Sequence, residues 1–176
     1  MPHRDISADP QTDAVQAETM IHRRAIRALI VAPEREVLLM RIRPPEGRDC
    51  FWIAPGGGIE DDETPEAALR RELAEELGLT EFEPGPALWR RHHTFNWGGR
   101  RISQKEEYRV VHATRFDPVM VDAHEAKVVD CFRWWRIADL ASADERLTPF
   151  SLAGILDAYL RDGAPGTLPD EEVLID

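Results

Sequence analysis

Between Gly57 and Leu79 the chain reads GGIEDDETPEAALRRELAEELGL, and few folds accommodate what this stretch requires. Thr64 is a good N-cap, Pro65 suits the first helical position, and Glu66 complements the positive end of the helix dipole. Every residue from Ala67 to Leu77 is a strong helix former, and Gly78 stands where a helix C-terminus takes a left-handed residue. The prediction is a helix from Pro65 to Leu77, entered from the glycine triplet Gly56-Gly57-Gly58. At about 100° per residue, Leu69, Leu73 and Leu77 form one apolar stripe, so one side of the helix must be buried.

Beside that stripe Glu72, Glu75 and Glu76 fan out at i, i+3 and i+4, with the small Ala68 among them. Like charges at these spacings repel, and two of them occupy the negative end of the helix dipole. Arg71 can pair with Glu75 and relieve one charge, which leaves two. A solvated acidic face is the ordinary explanation of such a segment. A divalent cation is the other, because clustered carboxylates beside a backbone-rich loop are hard oxygen ligands suited to Mg²⁺ or Mn²⁺.

The spacing favours the cation. Gly57, Glu63, Arg71, Glu72, Leu73, Glu75, Glu76, Gly78 and Leu79 satisfy an ungapped pattern that chance would produce in a chain of this length with a frequency on the order of 10⁻⁷. The stretch resembles the box of the Nudix (MutT-type) hydrolases, and looser likeness extends over about residues 23 to 160, through Phe51–Gly58 and Phe132–Trp135. The resemblance implies a loop–helix–loop in which Glu72, Glu75 and Glu76 bind Mg²⁺ (or Mn²⁺) or activate water. It implies a further metal ligand from the backbone carbonyl of Gly57 or its neighbour Gly56, and a structural pair between Glu63 and Arg71. The activity it implies is hydrolysis of a nucleoside diphosphate linked to another group, by attack of water on phosphorus. A non-catalytic nucleotide-binding module on the same fold is the alternative, and no mark outside the box singles out a substrate.

Other residues are weighed against this expectation. For the general base Glu72 comes first and Glu125, in a later loop, second; Glu106 and Glu107 are strand neighbours, so only one can face a site. Arg27 leads as a phosphate-binding group, ahead of Arg41 and Arg43, since a guanidinium matches phosphate oxygens in pairs. His92 and His93 point to opposite faces of a strand and are rejected as a metal pair. Trp89, Phe95 and Trp97 have the chemistry to stack on a base, with core packing the stronger expectation.

Composition narrows the setting. A net charge of −11 opposes stable nucleic-acid binding, no run reaches the length of a membrane span, and the N-terminus lacks the apolar core of a signal peptide. The expectation is a cytoplasmic protein with Cys50 and Cys131 as free thiols. Strand-like segments at 24–31, 36–41, 51–53, 87–95, 101–114 and 128–135, with helices at 65–77 and 149–161, predict an α/β fold: an α/β/α sandwich around a mixed sheet, as the resemblance also implies. Residues 1–20 read as a flexible tail with one short helix around 13–18, residues 21–162 as the domain, and 163–176 as an extended C-terminal tail. A homodimer is expected by analogy with the family alone.

Overall fold

The computed structural model describes residues 19–123 and 125–176, so the segment expected as an N-terminal tail lies, up to residue 18, outside the described residues. Nine strands and two helices follow in order. They are β1 (Ile21–Ala32), β2 (Glu36–Ile42), β3 (Phe51–Ile53), β4 (Gly58–Ile59), α1 (Pro65–Leu77), β5 (Pro84–Trp97), β6 (Arg100–His112), β7 (Val129–Arg136), β8 (Arg146–Thr148), α2 (Leu152–Asp162) and β9 (Glu172–Ile175). All the strands join one curled sheet whose main path runs β8-β3-β2-β1-β6-β5-β9, with β4 also on β1 and β7 also on β2. The sheet is mixed: β1–β6, β3–β8 and β5–β9 are parallel and the other pairs antiparallel.

From Ala25 onward β1 is buried on both faces, apart from the half-buried Arg27, which is why Ala28–Ala32 reads as a continuous apolar run. Leu29 and Val31 point into a core that includes Leu152, Ile155 and Leu156 of α2. Ile26, Ala28 and Ile30 point the other way, against Leu69, Leu73 and Leu77, the stripe foreseen on α1. Two helices on opposite faces of a mixed sheet make the α/β/α sandwich. Among the described residues no helix is long and apolar enough to cross a membrane.

Local signals were obeyed closely where they were strong. Thr64 Oγ1 accepts from the Ala67 N–H at 3.2 Å, and Gly78, at φ 67°, donates to the Ala74 carbonyl. The β5–β6 hairpin turns on Gly98 and Gly99, both at positive φ.

The structure corrects the prediction in the short elements. β4 and β8, of two and three residues, are too brief to show alternation and exist because neighbouring strands offer them hydrogen bonds. Pro84–Pro86, read as a turn, opens β5 through two register shifts. The final helix starts at Leu152 rather than at Pro149. The largest difference is at the C-terminus: within the stretch read as a surface tail, β9 adds a strand to the edge of β5.

Candidate active site

Pro55 and Gly57 carry the chain across the start of β1, where the Gly57 and Pro55 carbonyls accept from the N–H groups of Ile26 (2.9 Å) and Ala28 (2.8 Å). This closeness demands glycine. A Cβ on Gly56, at φ 126°, would overlap the Ile26 carbonyl, and a Cβ on Gly57 would overlap the Glu72 carboxylate. Glu76, fully buried, accepts from the Gly56 N–H at 2.7 Å. Two carboxylates from successive turns of α1 are thus brought against successive glycines of the loop. Arg71 organises the rest: its guanidinium lies 2.9 Å from Glu63, 2.7 Å from Glu72 and 3.4 Å from Glu75, and donates to the Gly58 carbonyl. The Glu63–Arg71 pair is present, and the hydrogen bonds from Arg71 lead the causes that hold the Glu63 carboxyl below the usual range.

On the other side of Gly56 lies a second charged group. Arg27 donates to the Gly56 carbonyl at 2.5 Å and reaches Glu106 at 3.3 Å. Glu106 is buried and also takes Arg91 at 2.6 Å, the Gln104 amide at 2.7 Å and the Tyr108 hydroxyl at 3.1 Å. Burial alone would raise the Glu106 pKa; the adjacent Arg91 and Arg27 more than offset it and hold the group at about 2. Burial likewise pushes the Tyr108 hydroxyl up, so it stays protonated and donates. Glu106 therefore stays ionised at neutral pH and acts as the counter-ion of both guanidinium groups. Its neighbour Glu107 turns to the opposite face and pairs with Arg109 at 2.5 Å, as strand alternation requires.

A cavity of about 950 Å³ opens over this floor. Its lining includes the glycine triplet, Glu76, Arg27, Arg91 and Glu106. Of the arginines singled out in the sequence, Arg27 sits in the interior of the site. Arg41 lies at the cavity wall, held by Asp130 (2.6 Å) and Glu145 (2.7 Å). Arg43 follows the end of β2, pairs with Asp130 in solvent and does not line the cavity. Glu125 opens a 3₁₀ turn, Glu125–Lys127, and its side chain lies outside the described residues. His92 and His93 do diverge: His93 lines the cavity, while His92 bonds Ser103. Phe95 and Trp97 line it too, whereas Trp89 lines a separate cavity near α2. No local motif in the sequence marks Arg91, Gln104, Arg146 or Asp176, which also line the cavity. Only the inward alternation of Arg91 and His93 along β5, opposite Glu106 and Gln104 on β6, carried a trace of them.

The three box carboxylates are not gathered into a ready cage. Among the described residues no three Asp, Glu, His or Cys side chains stand close enough to hold a metal ion, because Arg71 engages two of the three. In kind the donors fit Mg²⁺ or Mn²⁺: they are carboxylate and backbone oxygens, and two of the carboxylates are buried against the glycine loop. Cys50 and Cys131 are free thiols.

The NUDIX domain model matches residues 21–155. An RNA pyrophosphohydrolase from Acidiphilium cryptum is 30% identical over 147 residues, covering 76% of this chain and 85% of that protein. A putative 8-oxo-dGTP diphosphatase from Mycobacterium tuberculosis is 45% identical over 62 residues, 34% of this chain and 42% of its own. The crystal structure of a MutT NUDIX hydrolase from Burkholderia pseudomallei superposes with a TM-score of 0.58 at 26% identity, over 77% of this chain and 96% of that one. A complete box folded as loop and helix, a sheet of this topology and a domain match over most of the length agree: the chain belongs to the Nudix family of hydrolases, among the pyrophosphohydrolases.

Proposed function

We propose that this Nudix hydrolase is a divalent-metal-dependent pyrophosphohydrolase that cleaves a nucleoside diphosphate linked to another group, with water attacking phosphorus. The observation that carries the reading is the Gly56 peptide, whose N–H is held by Glu76 and whose carbonyl is held by Arg27. It joins an acidic helix face to a basic cavity floor. Glu72, Glu75 and Glu76, with the Gly57 carbonyl, are the residues that would hold Mg²⁺ or Mn²⁺. Such an ion, when bound, neutralises phosphate charge and lowers the pKa of a coordinated water.

The chain's own residues do the rest. Arg27, fixed by Glu106, presents a guanidinium to the phosphate that is not attacked. Glu72, pressed against Gly57, is the first choice for the group that takes the proton from water, with Glu125 the second. Arg41 is a weaker phosphate ligand because two carboxylates already claim it, and Arg43 is weaker still. The relatives' names add RNA and 8-oxo-dGTP to the substrates worth testing, though a net charge of −11 argues against stable contact with long nucleic acid. A homodimer remains a proposal from family analogy, open to light scattering.

The test is product release from nucleoside triphosphates, ADP-ribose, nucleotide sugars, dinucleoside polyphosphates, coenzyme A and a short triphosphorylated RNA, each with Mg²⁺, with Mn²⁺ and with chelator. Cleavage of one class, abolished by chelator, is expected. Folded protein that cleaves nothing under any metal would sink the reading.

A further inference from the structure

β9 brings a carboxylate to the cavity that no feature of the box anticipates. Asp176 follows the strand, donates its backbone N–H to the Thr94 carbonyl at 2.9 Å, and has its backbone oxygen held by Arg101 at 2.6 Å. Its side chain lines the cavity. One oxygen, Oδ2, takes both His93 Nε2 at 2.8 Å and Arg146 at 3.3 Å. The other, Oδ1, takes no hydrogen bond among the described residues, and the side chain keeps 30% of its exposure. The carboxylate is therefore aimed by two donors while one acceptor oxygen remains open to the cavity. Burial works against its charge, but the bonds from His93 and Arg146 prevail and keep it ionised at neutral pH.

Its position along the sheet gives this oxygen a use. Arg91, beside Glu106 and Arg27, marks the phosphate end; on the same face of β5, His93, which holds the Asp176 carboxylate, lies two positions further and Phe95 four, about 7 Å and about 13 Å at extended rise. That interval, from the carboxylate to the ring beyond it, is on the scale of a nucleotide's span from phosphate to base. The wall there offers aromatic rings, Phe95 and Trp97, next to an anionic acceptor and a guanidinium. Rings stack on any base, but a carboxylate discriminates. It accepts only, so it favours an edge with two adjacent N–H donors and repels one that presents an acceptor beside its donor. Adenine, cytosine and uracil each carry such an acceptor; guanine presents N1–H and the 2-amino group together, with an oxygen beyond them for the Arg146 side chain.

Resting on the nucleotide reading above, we infer that Asp176 is a specificity-determining residue, oriented by His93 and Arg146, whose open oxygen accepts from the paired N–H donors of a guanine base at the far end of the cavity.

Binding rather than turnover tests it, so that the outcome is separate from the hydrolysis assay. The probes are the non-hydrolysable α,β-methylene diphosphates of guanosine, inosine and adenosine, titrated calorimetrically with Mg²⁺ against the wild type and Asp176→Asn. Inosine lacks only the 2-amino group. The wild type is expected to hold the guanosine compound about tenfold or more tighter than the other two, the worth of a hydrogen bond to a charged group. In Asp176→Asn the three should converge to within about twofold, because an amide offers a donor where the carboxylate offered only acceptors. A merely structural role for Asp176 would weaken all three equally and leave their ratio unchanged. Equal binding of guanosine and inosine by the wild type, or an unchanged ratio in the variant, overturns the inference; the wild-type comparison decides even if the variant folds poorly. A protein that shows the preference yet hydrolyses nothing would refute the proposed activity and leave this assignment standing.

Discussion

Two clusters of arginine and glutamate flank the glycine triplet, and they are built on opposite principles. In the buried one, two guanidinium groups share a single carboxylate, Glu106, with Gln104 and Tyr108 completing its hydrogen bonds. In the box, three carboxylates share a single guanidinium, that of Arg71, which is 28% exposed. The first has a surplus of positive charge and is buried; the second has a surplus of negative charge and one carboxylate, Glu75, partly open to water. An anionic substrate suits the first and a cation the second, so the cavity is polarised before either ligand arrives. The contrast also separates stability from chemistry. A buried ion pair with every bond made is costly to break, whereas an uncompensated acidic face is a liability until a ligand offsets it.

Breaking the buried cluster should produce the largest effect. Glu106→Gln leaves Arg27 and Arg91 without their counter-charge and is expected to cost about 3–5 kcal/mol in urea unfolding at neutral pH. The sign of its pH dependence follows from the depressed pKa. The folded value, about 2, lies below the ordinary 4.5, so the carboxylate's contribution is complete above 4.5 and lost as pH falls toward 2. The gap between wild type and variant should close over that window; a gap that stays constant with pH would contradict the assigned charge state.

Next in size is a change in the box that spares the fold. Glu76→Gln keeps an oxygen for the Gly56 N–H but removes the charge. Turnover with Mg²⁺ is expected to fall by about a hundredfold or more, with the urea midpoint unchanged or higher. If activity and stability instead fell together, Glu76 would belong with Glu106 as a structural carboxylate, and the proposed division between the clusters would fail.

The smallest effect sharpens the contrast. Arg71→Lys retains the charge but loses the planar fork that reaches Glu63, Glu72 and Gly58 at once. A partly solvated hub should yield a melting-temperature loss of only about 2–4 °C. A collapse as large as that of Glu106→Gln would show that the exposed cluster is structural after all.

How far the one-dimensional order of residues reached depends on how local each cause was. The helix 65–77, its cap, its stop and its buried stripe follow from neighbours within four positions, and so does the crowding of Glu72, Glu75 and Glu76, because a helix relates those residues regardless of the rest of the fold. The hairpin at Gly98-Gly99 was equally readable. Arg27 was picked out, but what fixes it, Glu106, stands 79 residues away, and Arg91 joins them only when β1, β6 and β5 lie side by side. His93 and Asp176 are separated by 83 residues and meet because β9 pairs with β5. Short-range sterics and periodicity therefore specify the box and the alternation of the strands. The partners of each buried charge, and which end of the cavity is basic or acidic, emerge only from strand register, since pairing across a sheet depends on which distant edges remain unfilled once the long strands have formed.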